Sequence, residues 1–330
     1  MLLNYCFTSQ AKKAYSPKVL DLPNVAITIG DPAGIGPEVV YKALLNRNIY
    51  DTCNPMVVGS FDFARKSGFD FSKLPCRLYD IAGDIASRIK IGKISAASGE
   101  SSYRYILKTV ELVSSGDADA IVTAPISKEA LKISGHDFEG HTELLAKLTH
   151  TKDFAMLMSA GKMNVVMVTR HTAVSEIGKK LSSAKIFTAA RLAENFLRRS
   201  CGIKKPRVAV LALNPHAGES GLMGNEERSV IIPAIKKLVS KGIDAAGPLP
   251  SDSAWLKMKK NKFDLMVAMY HDQAMIGFKI ISPESLVNVT VGLPFLRTSP
   301  GHGTAVDIAG RNVADPSSMA EAIKFAAKYC

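Results

Sequence analysis

Short, apolar, β-branched runs recur along this chain, and most are followed by a turn and then by a stretch with helical periodicity. Asn24–Ile29 (NVAITI) is the first, closed by the glycine-rich loop GDPAGIG, after which Pro37 and Glu38 suit the opening turn of a helix. Met56–Val58, Ala120–Thr123, Ala155–Met158, Val165–Thr169, Val208–Leu213, Leu265–Met269 and Val287–Val291 read as further buried strands. Between them, Ser183–Arg198 repeats Ile186, Ala189, Ala190, Ala193, Phe196 and Leu197 at helical spacing, and Glu226–Val239 and Ser318–Lys328 behave similarly. Strands alternating with helices predict an α/β fold with a mostly parallel sheet. No internal repeat, low-complexity segment or obvious linker interrupts the pattern.

Composition narrows the class. With 330 residues, 47% of them hydrophobic, the chain can bury a sizeable core, which excludes global disorder. Five cysteines with no CxxC pair argue against a disulfide framework and a thiolate zinc site. No uncharged apolar stretch approaches the roughly 20 residues of a membrane span. Residues 1–20 hold no acid, but their apolar segment is too short for a signal-peptide core. A flexible extension on a cytoplasmic protein is the expectation.

The net charge of +12 admits a nucleic acid, an anionic membrane or small anionic substrates as partners. Its cations are spread in pairs such as Lys12-Lys13 and Lys259-Lys260, without a run of five or more, and only one Trp is present. That pattern lacks the aromatic-interleaved basic patches that stack on bases. Phosphorylated small molecules fit better than nucleic acid.

Three histidines share one kind of position. His171, His216 and His271 each lie within a few residues of the end of an apolar run, where ligands gather in open α/β sheets. A histidine there can be an ordinary turn residue, but three together make a candidate divalent-metal set. Asn214, Asp272 and Gln273 stand close enough in sequence to orient the imidazoles. His141-Thr142 opens an amphipathic helix, where Thr142 could cap or face a ligand. Lys279, Asn288 and Arg297 follow on successive segments, and Arg297 sits in an otherwise apolar, Gly/Pro-rich stretch that suggests an anion pocket. Of the glycine loops, GDPAGIGPE occupies the place of a phosphate or substrate loop but is no GxGxxG, since Val39 takes the last glycine position. The denser SPGHGTAVDIAG permits close backbone approach to a ligand.

Taken together, ITIGDPAGIGPE, IVTAPISKEAL, GHTELLA, TRHTAVSEI, NPHAGESGLMGNEE, YHDQAMIGFK and NVTVGLPFLRTSPGHGTAVDIAG closely resemble the 4-hydroxythreonine-4-phosphate dehydrogenase family, from about Val25 to Lys328. The resemblance implies a two-lobed, isocitrate/isopropylmalate dehydrogenase-like α/β fold with a cleft between lobes. Beyond the extension at 1–20, the lobes are expected at about 21–135 plus 295–330, and about 136–294. It implies that His171, His216 and His271 hold a divalent metal (zinc, cobalt or magnesium), with His271 reaching the site of a homodimer partner. His141, Thr142, Lys279, Asn288 and Arg297 are implied to contact substrate, and His302, Gly303, Thr304 and Asp307 the adenosine part of NAD or NADP. Asp252, Asp272 and Lys279 remain open as the catalytic base. The implied reaction oxidises 4-phosphooxy-L-threonine to a 3-keto acid that decarboxylates to 3-amino-2-oxopropyl phosphate, in pyridoxal 5′-phosphate biosynthesis. A paralogous dehydrogenase of threonate or erythronate 4-phosphate is the nearest alternative, and a metal-dependent phosphohydrolase lies further off.

Overall fold

The computed structural model describes residues 22–81, 83, 85–282 and 284–330; the extension expected at residues 1–20 lies outside the described residues. Two compact units emerge. One holds everything described up to Phe138 together with Gly303–Pro316, and the other holds Glu139–His302 and Ser317–Cys330.

The first unit is built on β1 (Asn24–Thr28), β2 (Asn54–Gly59), β3 (Arg77–Asp80) and β4 (Ala120–Thr123). They run parallel in the order β3-β2-β1-β4. Val25, Ala26 and Ile27 of the central β1 are fully buried, as a strand covered on both faces requires. One cover is the helix Ala96–Ser114, whose entry is capped by Ser95 Oγ accepting the Ser98 N–H at 3.2 Å. After β1, the helix Gly36–Leu45 opens with Pro37 in its first turn, as its sequence predicts.

In the second unit, β5 (Ala155–Ala160), β6 (Met163–Met167), β7 (Arg207–Leu211), β8 (Asp244–Leu249), β9 (Leu265–Ala268), β10 (Val287–Val291) and β11 (Leu296–Pro300) form a mixed sheet. Its order is β11-β10-β5-β6-β9-β7-β8; the first three pairings are antiparallel and the last three parallel. With the all-parallel first unit, this makes the fold α/β with predominantly parallel pairing. The two-residue loop Gly161-Lys162, with Gly161 at φ +59°, turns β5 into β6. The helix Ser183–Arg199 buries Ile186, Ala189, Ala190, Ala193 and Leu197, the stripe read from sequence, against β5, β6 and β9. Among the described residues, no helix is long and apolar enough to cross a membrane.

Three strands escape the apolar-run criterion. β3 is largely exposed, and β8 (DAAGPL) carries the glycine and proline that edge positions tolerate. β11 (LRTSP) is polar yet buried, for a reason that lies in the site. The segment read as one helix over Glu226–Val239 opens as a π-type turn, Glu227–Ile231, before the α-helix Ile232–Ser240. Pro233 has no N–H to donate back into the preceding turn, which accounts for the widened pairing there.

Candidate active site

The site in the second unit starts from the antiparallel pair β10–β11. Thr290 faces Arg297 across the ladder and Asn288 faces Ser299, so period-2 alternation places these four side chains on one face. Arg297 is 2% exposed, and its Nη1 donates to Thr290 Oγ1 at 3.1 Å. Burial pushes its guanidinium down to about 9, against a favourable contribution from the Glu143 carboxylate, so it remains charged at neutral pH. This explains Arg297 and Ser299 of β11, which face a polar site, while Thr298 on the other face donates to Ala322 O at 2.8 Å.

The helix His141–Leu148 brings its first turn to the same face. Gly140 occupies the N-cap without a side-chain bond, so Thr142 is free to place its Oγ1 at 3.5 Å from Thr290 Oγ1. Thr142 thus faces the strand pair instead of capping. The His141 Nε2 atom is buried without a hydrogen-bond partner, as is Asn288 Oδ1. Desolvation, reinforced by the nearby Arg297 charge, holds the His141 imidazole well below its ordinary value, so the ring is neutral at pH 7. Glu143, one residue on, pairs with Arg170 at 2.8 Å at the end of β6. Two orphaned polar atoms beside a buried cation are the arrangement a polar, anionic ligand completes.

The histidines at the strand ends are only partly gathered. The ring centres of His171 and His271 lie 6.2 Å apart. Two imidazoles sharing an ion at about 2.0–2.1 Å per bond have ring centres roughly 5–6 Å apart, so the pair lies at the outer edge of that range. His271 Nδ1 lies 2.8 Å from Asp272 Oδ1, a carboxylate neighbour that favours a proton on Nδ1 and leaves Nε2 as the nitrogen for a ligand. His216 sits in a left-handed loop after β7, with φ +50°. Among the described residues of one chain, no group of three or more His, Cys, Asp or Glu side chains converges closely enough to hold a metal ion. The donor chemistry at His171 and His271 nonetheless fits a divalent ion.

Other expected roles change. The side-chain hydrogen bonds of Asn214 and Gln273 go to groups other than imidazoles. Gln273 Oε1 accepts the Met269 N–H, and its Nε2 donates to Ala212 O and Ser251 Oγ at 2.7 and 2.9 Å, tying the ends of β7 and β9 together. Asn214 Nδ2 donates to Glu226 and Glu227. Of the candidate bases, Asp252 is exposed, with its Oδ1 accepting the Ser253 N–H; Asp272 is engaged by His271. Lys279 is exposed in the last turn of the helix His271–Ile281. A cavity of about 300 Å³ beside Arg170, lined in part by Lys152, Phe154, Met156 and Lys185, does not include His141, Asn288 or Arg297.

In the first unit the GDPAGIG loop is buried and packs on protein rather than opening as a phosphate cradle. A Cβ on Gly34 would meet Thr304 O at 2.7 Å, and the Ile35 N–H donates to that same carbonyl at 2.9 Å. The loop therefore anchors the SPGHGTAVDIAG segment. Within that segment Gly303 and Asp307 are exposed, and no atom approaches where a Gly303 side chain would be, leaving room for a ligand. Asp31, fully buried, accepts the Ala33 N–H at 2.9 Å, and desolvation holds its carboxyl above its ordinary value. Glu38, also buried, receives Lys42 and the Ala314 N–H, both at 2.7 Å. Asp31 did not stand out in the sequence, and Glu38 was read only as an acid complementing the start of its helix.

The family model for the pyridoxal phosphate biosynthetic protein PdxA matches residues 49–326. The chain belongs to the PdxA family. It is 39% identical to a 4-hydroxythreonine-4-phosphate dehydrogenase from Desulforapulum autotrophicum, over 92% of this chain and 95% of that one. A D-threonate 4-phosphate dehydrogenase from Salmonella typhimurium is 40% identical, over 93% and 99%. The solved structure of a 4-hydroxythreonine-4-phosphate dehydrogenase from Klebsiella pneumoniae superposes with a TM-score of 0.83 at 36% identity, covering 92% of this PdxA chain and 98% of its own.

Proposed function

We propose that this PdxA-family chain oxidises 4-phosphooxy-L-threonine with NAD or NADP, giving 2-amino-3-oxo-4-phosphooxybutanoate, which loses CO₂ to yield 3-amino-2-oxopropyl phosphate. The observation that carries the reading is the buried Arg297 beside the unpartnered His141 Nε2 and Asn288 Oδ1. A phosphate or carboxylate in that space compensates the guanidinium and supplies partners to both orphans. Thr142 and Thr290 add hydroxyls on the same face, and Lys279 adds a further cation. His171, His216 and His271 are the groups that would hold the divalent ion, zinc, cobalt or magnesium. Such an ion lowers the pKa of a hydroxyl it binds. His302, Gly303, Thr304 and Asp307 would take the adenosine end of the nucleotide, whose nicotinamide accepts the hydride. Asp272 holds the His271 ring in one tautomer, which favours Asp252 or Lys279 for proton removal.

The sequence similarity to a D-threonate 4-phosphate dehydrogenase supports a second reading in which the 2-amino group is replaced by hydroxyl. Comparing NADH and NADPH formation on both substrates decides between them. The first reading expects kcat/KM at least ~10-fold higher with 4-phosphooxy-L-threonine. Phosphate release without nucleotide reduction would sink the dehydrogenase reading altogether.

A homodimer with its active site at the subunit interface, in the cytoplasm, completes the proposal. Ile276 and Ile280, one helical turn apart on the helix that begins with His271, are 59% and 78% exposed, and Leu256 is 65% exposed. Apolar side chains so placed favour a covered face. Sedimentation velocity should give a dimer at micromolar concentration, and a monomer throughout that range would refute it.

A further inference from the structure

The loop that carries His216 is costly to form. His216, Ala217, Gly218, Glu219 and Ser220 all have positive φ, between +42° and +74°, and four of the five carry a side chain. Each left-handed L-residue costs roughly 1–2 kcal/mol, so such a run persists only where its surroundings impose it. At its exit the Leu222 N–H reaches Glu219 O at 3.3 Å and the Met223 N–H reaches Gly218 O at 3.1 Å.

A constraint from outside the loop comes from Glu227. Its side chain is buried, and Oε1 accepts both the Leu213 and Asn214 backbone N–H groups, at 2.9 and 2.8 Å. Those are the two residues through which the chain leaves β7 and enters the loop. Glu227 Oε2 accepts Asn214 Nδ2 at 2.9 Å, and the same amide donates to Glu226 Oε2 at 2.8 Å. One carboxylate therefore fixes the entry of the loop by three charge-assisted bonds. It also fills the space beside the loop's midpoint, since a Cβ on Gly218 would lie 2.7 Å from Oε2.

We infer that Glu227, with Asn214, is a positioning residue that holds His216 in a metal-binding orientation, through the backbone rather than through the imidazole. This rests on the reading of His216 as a metal ligand, given above. Of the sequence neighbours read as orienting groups, Asn214 takes part through the backbone, and it is joined by Glu227, eleven residues after His216.

The test is cobalt(II) binding to the full chain, followed by titration calorimetry and by the visible d–d absorption of the bound ion. Wild type, His216→Ala, Glu227→Ala, Glu227→Gln and Asn214→Asp are compared. Loss of a supporting group around a ligand typically weakens metal binding about 10- to 100-fold, the loss expected for Glu227→Ala. Its d–d spectrum at saturating cobalt should also change, which lowered fold stability alone would not cause. Glu227→Gln keeps one oxygen for the Leu213 and Asn214 N–H groups and should recover much of the affinity. If Glu227→Ala does not fold, Asn214→Asp decides, because it sets a third carboxylate against Glu226 and Glu227 and should disturb the spectrum likewise. Wild-type affinity and spectrum in the folded Glu227 or Asn214 variants, with binding lost in His216→Ala, would overturn the inference. Unchanged binding in His216→Ala would instead reject His216 as a ligand.

Discussion

Arg297→Met is expected to lower kcat/KM for the phosphorylated substrate by roughly 10²- to 10³-fold while leaving the protein folded. Removing one partner of a buried, hydrogen-bonded charge pair costs about 2–5 kcal/mol in binding, which sets that range. The loss should fall on kcat/KM because the guanidinium is buried, donates to Thr290 and lies beside the unpartnered His141 Nε2 and Asn288 Oδ1, where an anion would sit. Stability should not fall in parallel. Without ligand, the buried cation is penalised by desolvation, the same effect that brings it down to about 9, and a methionine of similar length removes that penalty. Melting temperature and steady-state kinetics measured on one preparation check both halves. A variant within about threefold of wild-type kcat/KM would show that the anion does not bind at Arg297.

Stripping divalent metal with a chelator should abolish turnover by about three orders of magnitude, the several kcal/mol a Lewis acid contributes at a developing alkoxide. Restored zinc or cobalt should return it. His271→Ala should reproduce the loss and resist rescue by added metal at ordinary concentration. Asp272 lies 2.8 Å from His271 Nδ1 but is exposed, so the imidazole itself, not its neighbour, is the group whose removal matters most. A rate unchanged by chelation would remove the metal from the mechanism and leave His171 and His271 as polar residues at strand ends.

Much of the framework was legible without coordinates, and the reasons differ by element. β1, β2, β4, β5, β6, β7 and β9 were found because a buried strand covered on both faces is largely apolar, and β10 because its valines alternate; that composition is local. β8 was hidden because edge strands accept the glycine and proline that read as turns. β11 was hidden by its polarity, which is a property of the face it presents. His141, Thr142, Asn288 and Arg297, the proposed substrate residues, were singled out in the sequence, and the structure gathers all four on or beside β10 and β11. Lys279 was singled out too, but lies exposed on its helix. Glu143, Arg170 and Glu227 were not, because a charged side chain looks like solvated surface until its partner is known.

The order of strands and helices, the site-bearing segments and membership of the PdxA family are written in the sequence, since each depends on side-chain type and near-neighbour spacing. Tertiary structure alone decided which charges are buried. Arg297 is a buried cation because Thr290 stands opposite it in an antiparallel register and the His141 helix lies against that face. The glycines of GDPAGIG make room for Thr304 and not for a phosphate, and the left-handed His216 loop leans on Glu227. Each of these follows from contacts between segments distant or displaced in the chain, which no local pattern encodes.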